Sequence, residues 1–235
     1  MDWSSNLPKI ILDASEGSRV VRGRRSNRPM RCPFCQNPCR EETVECSHCG
    51  FSLPKLDQYL GAVPKVRKGI SDEHGRLRTK ERSMVMAAIA RLEKKFPQIG
   101  FTVLIDKVKP EVPLHLYAFW IFNRSTVCAS VSTGAVNRDV LLTIDAPGRR
   151  ASLMIGYGLE PFMSAQHLTD TLEHAREELS IGDFQGAIIA VLERLEGHLL
   201  QLHGSLRRTY GAEPVELGIK PQTSDLVNKD GSPVF

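Results

Sequence analysis

VLLTIDAPGRRASLMIGY, Val140 to Tyr157, decides the fold. Two β-rich apolar runs, Val140 to Asp145 and Ala151 to Tyr157, flank APGRR, where Pro147 and Gly148 set a reverse turn, so the runs pair as an antiparallel hairpin. Upstream, FTVLID from Phe101 to Asp106 is another apolar strand, bounded by Gly100 and the charged loop KVKPEVP. Between it and the hairpin lies LHLYAFWIFN, Leu114 to Asn123, apolar nearly all round and preceded by Pro113, which suits a first helical turn; it reads as a short buried helix. Strand, helix, strand calls for a parallel crossover, expected to be right-handed, so the sheet mixes parallel and antiparallel pairs.

Outward from this centre the pattern turns helical. Val85, Ile89, Leu92 and Phe96 recur at three- and four-residue steps over Thr79 to Phe96, an amphipathic helix stopped by Pro97. Two more helices follow the hairpin. Ala165 to Leu179 turns Leu168, Leu172, Ala175 and Leu179 inward, and Phe184 to His203 does the same with Ile188, Leu192, Leu195, Leu199 and Leu202. Gly182 and Asp183 separate them, Asp183 serving as an N-cap. The fold class is α/β: an αβα sandwich over residues 70–203, a mixed β-sheet flanked by helices. PKLDQYLGAVPKVRKG, residues 54–69, reads as a linker because of its prolines and glycines. Residues 1–31 read as a disordered basic arm and 204–235 as a disordered tail. There is no internal repeat.

The chain has 235 residues, 41% hydrophobic and 25% charged, the composition of a soluble globular protein with one main domain. Its net charge of +4 is too small to name a nucleic-acid or membrane partner. The apolar IIL at Ile10 to Leu12 gives way at once to Asp13, Glu16 and arginines, so no signal peptide is expected, and no stretch reaches the roughly 18 to 20 apolar residues that cross a bilayer. The expected location is the cytoplasm.

Five of the six cysteines fall between Cys32 and Cys49. In RCPFCQNPCREETVECSHCGF, Cys32 with Cys35 and Cys46 with Cys49 make two Cys-x2-Cys pairs, the arrangement in which two knuckles supply four thiolates to tetrahedral zinc. Gly50, after the last cysteine, permits the positive φ such a turn needs. With four protein sulfurs and no open position the zinc is structural, supplying on the order of 10 kcal/mol to a ribbon (32–53) too small to bury its own core. Cys39 is a free thiol or an alternative to Cys35, and His48 is a possible substitute for a cysteine.

Several strings of the second domain resemble the TPM domain family. ISDEHGRL, Ile70 to Leu77, is similar to the family's opening Asp-x-x-Gly-x-Leu, FTVLID to its first strand, and YAFWIFN and NRDVLLTID continue the likeness. MIGYGLEPFMSAQ, Met154 to Gln166, resembles its Gly-Tyr-Gly-Leu-Glu ending of the hairpin. The chain departs from the family pattern in the zinc ribbon, in the expected lack of a signal peptide and membrane anchor, and in Arg138 and Asp139 after Asn137. Some members are described as phosphatases, some as calcium binders and others as accessory factors of membrane complexes, so the resemblance implies no single activity.

Three readings of function follow. The first is a zinc-binding cytoplasmic protein whose domain is an accessory module for an unknown protein partner. The second is a divalent-cation-dependent phosphatase in which Asp72, Asp106 and Asp145, with Asn137, Asp139 and Glu160 as additions, hold calcium or magnesium at the strand ends, where open α/β sheets place ligands. The ordinary alternative is that Asp106 ends a strand and Asp145 begins a turn. The third is nucleic-acid binding through the ribbon and basic arm. Gly156 and Gly158 either admit a ligand close to the backbone or let the strand leave the sheet. Cys128 reads as a packing residue, and His167, His174, His198 and His203 as surface or boundary residues.

Overall fold

The computed structural model describes residues 30–39, 43–125 and 137–210. The expected disorder of the arm before residue 30 and of the tail after 210, and the packing role of Cys128, lie outside the described residues. A two-stranded antiparallel ribbon, β1 (Met30–Arg31) and β2 (Pro38–Cys39), leads into α1 (Leu53–Leu60). Then come β3 (Gly69–Asp72), α2 (Thr79–Lys95), β4 (Phe101–Asp106), α3 (Leu114–Arg124), β5 (Val140–Asp145), β6 (Arg150–Ile155), α4 (Ala165–Glu173), α5 (Arg176–Ile181) and α6 (Phe184–Tyr210). The main sheet runs β3-β4-β5-β6, with β3, β4 and β5 parallel and β6 antiparallel to β5. The predicted mixed sheet and hairpin are present.

The central strands are apolar at nearly every position because both faces are covered. Phe101, Val103 and Ile105 of β4 and Val140, Leu142 and Ile144 of β5 point into one core with Val85, Ile89 and Leu92 of α2 and Ile188, Leu195 and Leu199 of α6. Leu104 and Leu141 point the other way, into a second core with Trp120 and Ile121 of α3. The strands run in sequential order while α2 and α3 lie on opposite faces, so the two parallel connections have opposite hands and only one obeys the right-handed rule.

The second core also contains Cys32, Cys46, Phe51 and Leu56. The cysteine ribbon is therefore part of the layer that covers this face of the sheet. Phe51 stacks on Phe34 at 6.4 Å and meets Phe119 of α3 at 6.0 Å between ring centroids.

Four elements differ from the sequence reading. Leu53–Leu60 is a helix where a linker is expected, with Pro54 in its first turn. Gly69–Asp72 adds an edge strand. The expected helix from Ala165 to Leu179 is two, broken at His174 and Ala175, where Ala175 (φ −101°, ψ 8°) leaves helical geometry. The last helix runs on to Tyr210, beyond the expected tail boundary. Among the described residues no helix is long and apolar enough to cross a membrane.

Candidate metal centre

The two Cys-x2-Cys pairs fold into the same knuckle. In the first, Cys32 N–H donates to the Asn37 carbonyl and Gln36 N–H to that of Cys32; in the second, Cys46 N–H donates to the Phe51 carbonyl and Gly50 N–H to that of Cys46. The residue after each second cysteine is left-handed, Gln36 at φ 60° and Gly50 at φ 68°. This curl turns backbone N–H groups onto sulfur: those of Phe34 and Cys35 onto Cys32, and those of His48 and Cys49 onto Cys46.

The four sulfurs face one another. Cys32 and Cys49 are 3.7 Å apart, Cys35 and Cys46 also 3.7 Å, and all four lie within 4.8 Å of one another. They could hold a metal ion, and no second group of three or more His, Cys, Asp or Glu converges in this way among the described residues. The backbone N–H of Cys49, above all, lowers Cys46 to about 6, while burial raises Cys32 and Cys49. Without a cation only the first thiolate is favoured in so tight a group; a central cation favours all four.

Cys39 stands beside the set, its Sγ 3.6 Å from that of Cys46, and burial followed by the Cys46 sulfur pushes it up to about 11. His48 is exposed and lies outside the converging group.

The layer around the centre is tied down on several sides. Lys55 of α1 donates to the Gly50 carbonyl at 2.7 Å and to Glu45 at 2.8 Å. Asp57 accepts from the Trp120 indole at 2.8 Å and from Arg124 at 3.0 and 2.6 Å, clasping α1 to α3. His115, on α3, bonds the Pro33 carbonyl.

Asp72, Asp106 and Asp145 end the adjacent parallel strands β3, β4 and β5. Asp72 lies on the face of Ile105 and accepts the backbone N–H groups of Arg76 and Leu77 at 3.0 and 2.9 Å. Asp106 and Asp145 are neighbours at the ends of β4 and β5. Asp145, 1% exposed, receives Val108 N–H at 3.2 Å and Arg150 at 3.0 and 2.6 Å. Asp106 accepts from the Tyr117 hydroxyl at 2.5 Å and meets His74 at 3.3 Å. Its carboxylate raises Tyr117, after burial the next cause.

Asn137 and Asp139 precede β5, at the opposite end from Asp145 of a strand about 16 Å long by its rise. Asn137 bonds the segment after β6, its carbonyl taking Gly158 N–H at 2.7 Å two residues before Glu160. A Cβ on Gly156 would lie 2.4 Å from Asn137 Oδ1, so this glycine makes room for Asn137.

Sequence reading missed a histidine pair. His198 is buried, its Nε2 2.9 Å from Asp170, and its ring is 4.7 Å from that of His167. It is not a surface residue. The pairing joins α4 to α6, which spacing within either helix could not disclose.

A family model for the TPM domain matches residues 70–198. No curated protein matches the chain. Among solved structures the chain is similar to the BA42 protein of the psychrophilic bacterium Bizionia argentinensis, at 14% identity over 56% of this chain and 86% of that one, with a TM-score of 0.48. It is also similar to the N-terminal domain of a P. gingivalis protein, at 17% identity over 62% and 96% of the two chains, TM-score 0.49. A third is the N-terminal domain of the cg2496 protein from Corynebacterium glutamicum, at 15% identity over 56% and 79%, TM-score 0.43.

Proposed function

The chain belongs to the TPM domain family, and from that premise we propose that it is a zinc-holding cytoplasmic accessory protein whose family domain works by binding a protein partner. Cys32, Cys35, Cys46 and Cys49 hold one structural zinc ion. The observation that carries this is the sulfur spacing. Four thiolates about 2.3 Å from a tetrahedral zinc stand about 3.8 Å apart; Cys32–Cys49 and Cys35–Cys46 are each at 3.7 Å, and all four sulfurs lie within 4.8 Å of one another. Four protein sulfurs leave no position for water or substrate, so the ion serves folding. Unpaired thiols in this number suit a reducing compartment.

Binding rather than hydrolysis is supported by what engages the carboxylates. Asp72 and Asp145 are taken up by backbone N–H groups and by Arg150. A second reading, a calcium- or magnesium-dependent phosphatase, keeps one observation in its favour: Asp106 and Asp145 are register partners at the ends of adjacent parallel strands. Nucleic-acid binding through the arm has no structural support, since residues 1–29 lie outside the described residues.

Elemental analysis after equilibration with zinc, magnesium and calcium and exhaustive buffer exchange tests the proposal. One zinc per chain, lost in Cys35→Ser, is expected; absence of zinc overturns the ligand assignment. Magnesium-dependent hydrolysis of p-nitrophenyl phosphate that Asp106→Asn abolishes would replace the binding reading with the phosphatase.

A further inference from the structure

The knuckles carry a fifth thiol that the tetrahedral set does not use. Cys39 sits on β2, which pairs with β1, and the Asn37 carbonyl that takes Cys32 N–H also takes the Cys39 S–H at 3.7 Å. The Cys39 backbone is thereby held beside the first knuckle. Its Sγ is 3.6 Å from Cys46 Sγ, as near to that sulfur as Cys35 is at 3.7 Å. On the zinc reading Cys35 is one of the four ligands and Cys39 is not.

We propose that Cys46 and Cys39 form an oxidation site for hydroperoxides, in which a disulfide between them expels the metal; this rests on the zinc reading above. In the first step the Cys46 thiolate attacks the peroxide. The S–O bond forms, the O–O bond breaks, and the departing alkoxide or hydroxide takes a proton from water. In the second, the Cys39 sulfur attacks the Cys46 sulfur: the S–S bond forms, the S–O bond breaks, and the oxygen leaves as water with the thiol proton. Two sulfurs are oxidised and one hydroperoxide is reduced to an alcohol, or to water, plus water.

Closing from 3.6 Å to a disulfide length of about 2.05 Å draws Cys46 off its vertex. Cys32, Cys35 and Cys49 remain, and three thiolates hold zinc less tightly than four. Cys46 is also a buried member of the core that includes Leu104 and Leu141, so the same step disturbs the seat of the ribbon on the sheet.

The test uses full-length protein and Cys39→Ser, with zinc content measured first. Both are treated with hydrogen peroxide; zinc release is followed with a chromogenic chelator, and thiol pairing is read by mass spectrometry after alkylation and digestion. The wild type is expected to lose its zinc and two hydrogens, linking Cys39 to Cys46, and to regain zinc after reduction. Cys39→Ser should bind zinc as the wild type does, form no such linkage, and accumulate over-oxidised Cys46. A product joining Cys46 to Cys35, or equal rates of zinc release from the two proteins, overturns the proposal. Protein that holds no zinc at the start refutes the zinc reading alone, and the presence or absence of the Cys39–Cys46 linkage then decides the thiol pair by itself.

Discussion

Gln36 and Gly50 hold the same place in the two knuckles, at φ 60° and 68°. A left-handed conformation costs an ordinary residue roughly 1–2 kcal/mol, which glycine avoids. The second knuckle could be read from Cys-x2-Cys-Gly, whereas the first, ending in glutamine, could be recognised by its cysteines alone. A Cβ at Gly50 would also stand 3.2 Å from Glu45 and 3.3 Å from Lys55. Gly50→Ala is therefore expected to destabilise the metal-bound protein by about 1–2 kcal/mol, while Gln36→Gly leaves stability unchanged or raises it. Denaturant midpoints of the two variants check this. The four metal ligands were legible because their spacing is local. The engagement of Asp72 by its own following loop and of Asp145 by Arg150 was not, since it depends on which way each strand end turns.

Short elements were the hardest to read. Leu53–Leu60 buries a single residue, Leu56, and is tied by Lys55 to the second knuckle and by Asp57 to α3, partners that its own sequence does not reveal. The four-residue β3 is polar at two positions and gains its place by pairing with β4. By contrast β5, buried on both faces, was plain as an apolar run. Leu142→Ala there should cost about 2–5 kcal/mol of stability in a denaturation curve. The α1–α3 clasp should also show in acid. Arg124, then Trp120, holds the Asp57 carboxyl below its ordinary 3.8. A depressed carboxylate contributes stability above its unfolded pKa and loses that contribution as pH falls through the folded value. The stability difference between wild type and Asp57→Asn should thus be present at neutral pH and fade as pH falls below 3.8. A difference that grows on acidification would contradict this assignment.

At the scale of the whole molecule, α2 and α6 cover one face of the sheet, and α3 together with the cysteine ribbon covers the other. Sequence periodicity located α2, α3 and α6 and the strands β4, β5 and β6. It could not show that the ribbon, expected to stand apart, shares a core with Leu104, Trp120 and Leu141. That sharing makes metal binding and the stability of the family domain one problem. Chelation should lower the thermal midpoint of the entire chain, and Leu141→Ala should cost more in the metal-loaded protein than in the chelated one.

The most direct test is hydrogen exchange read by mass spectrometry on zinc-loaded and chelated protein. Chelation is expected to raise exchange in Leu53–Leu60 and Leu114–Arg124 well before it does so in Thr79–Lys95, because the first two elements pack with the ribbon and the third packs on the far face. Identical exchange in the two states would contradict it, showing either that the four cysteines hold no metal or that the metal does not secure the ribbon to the sheet.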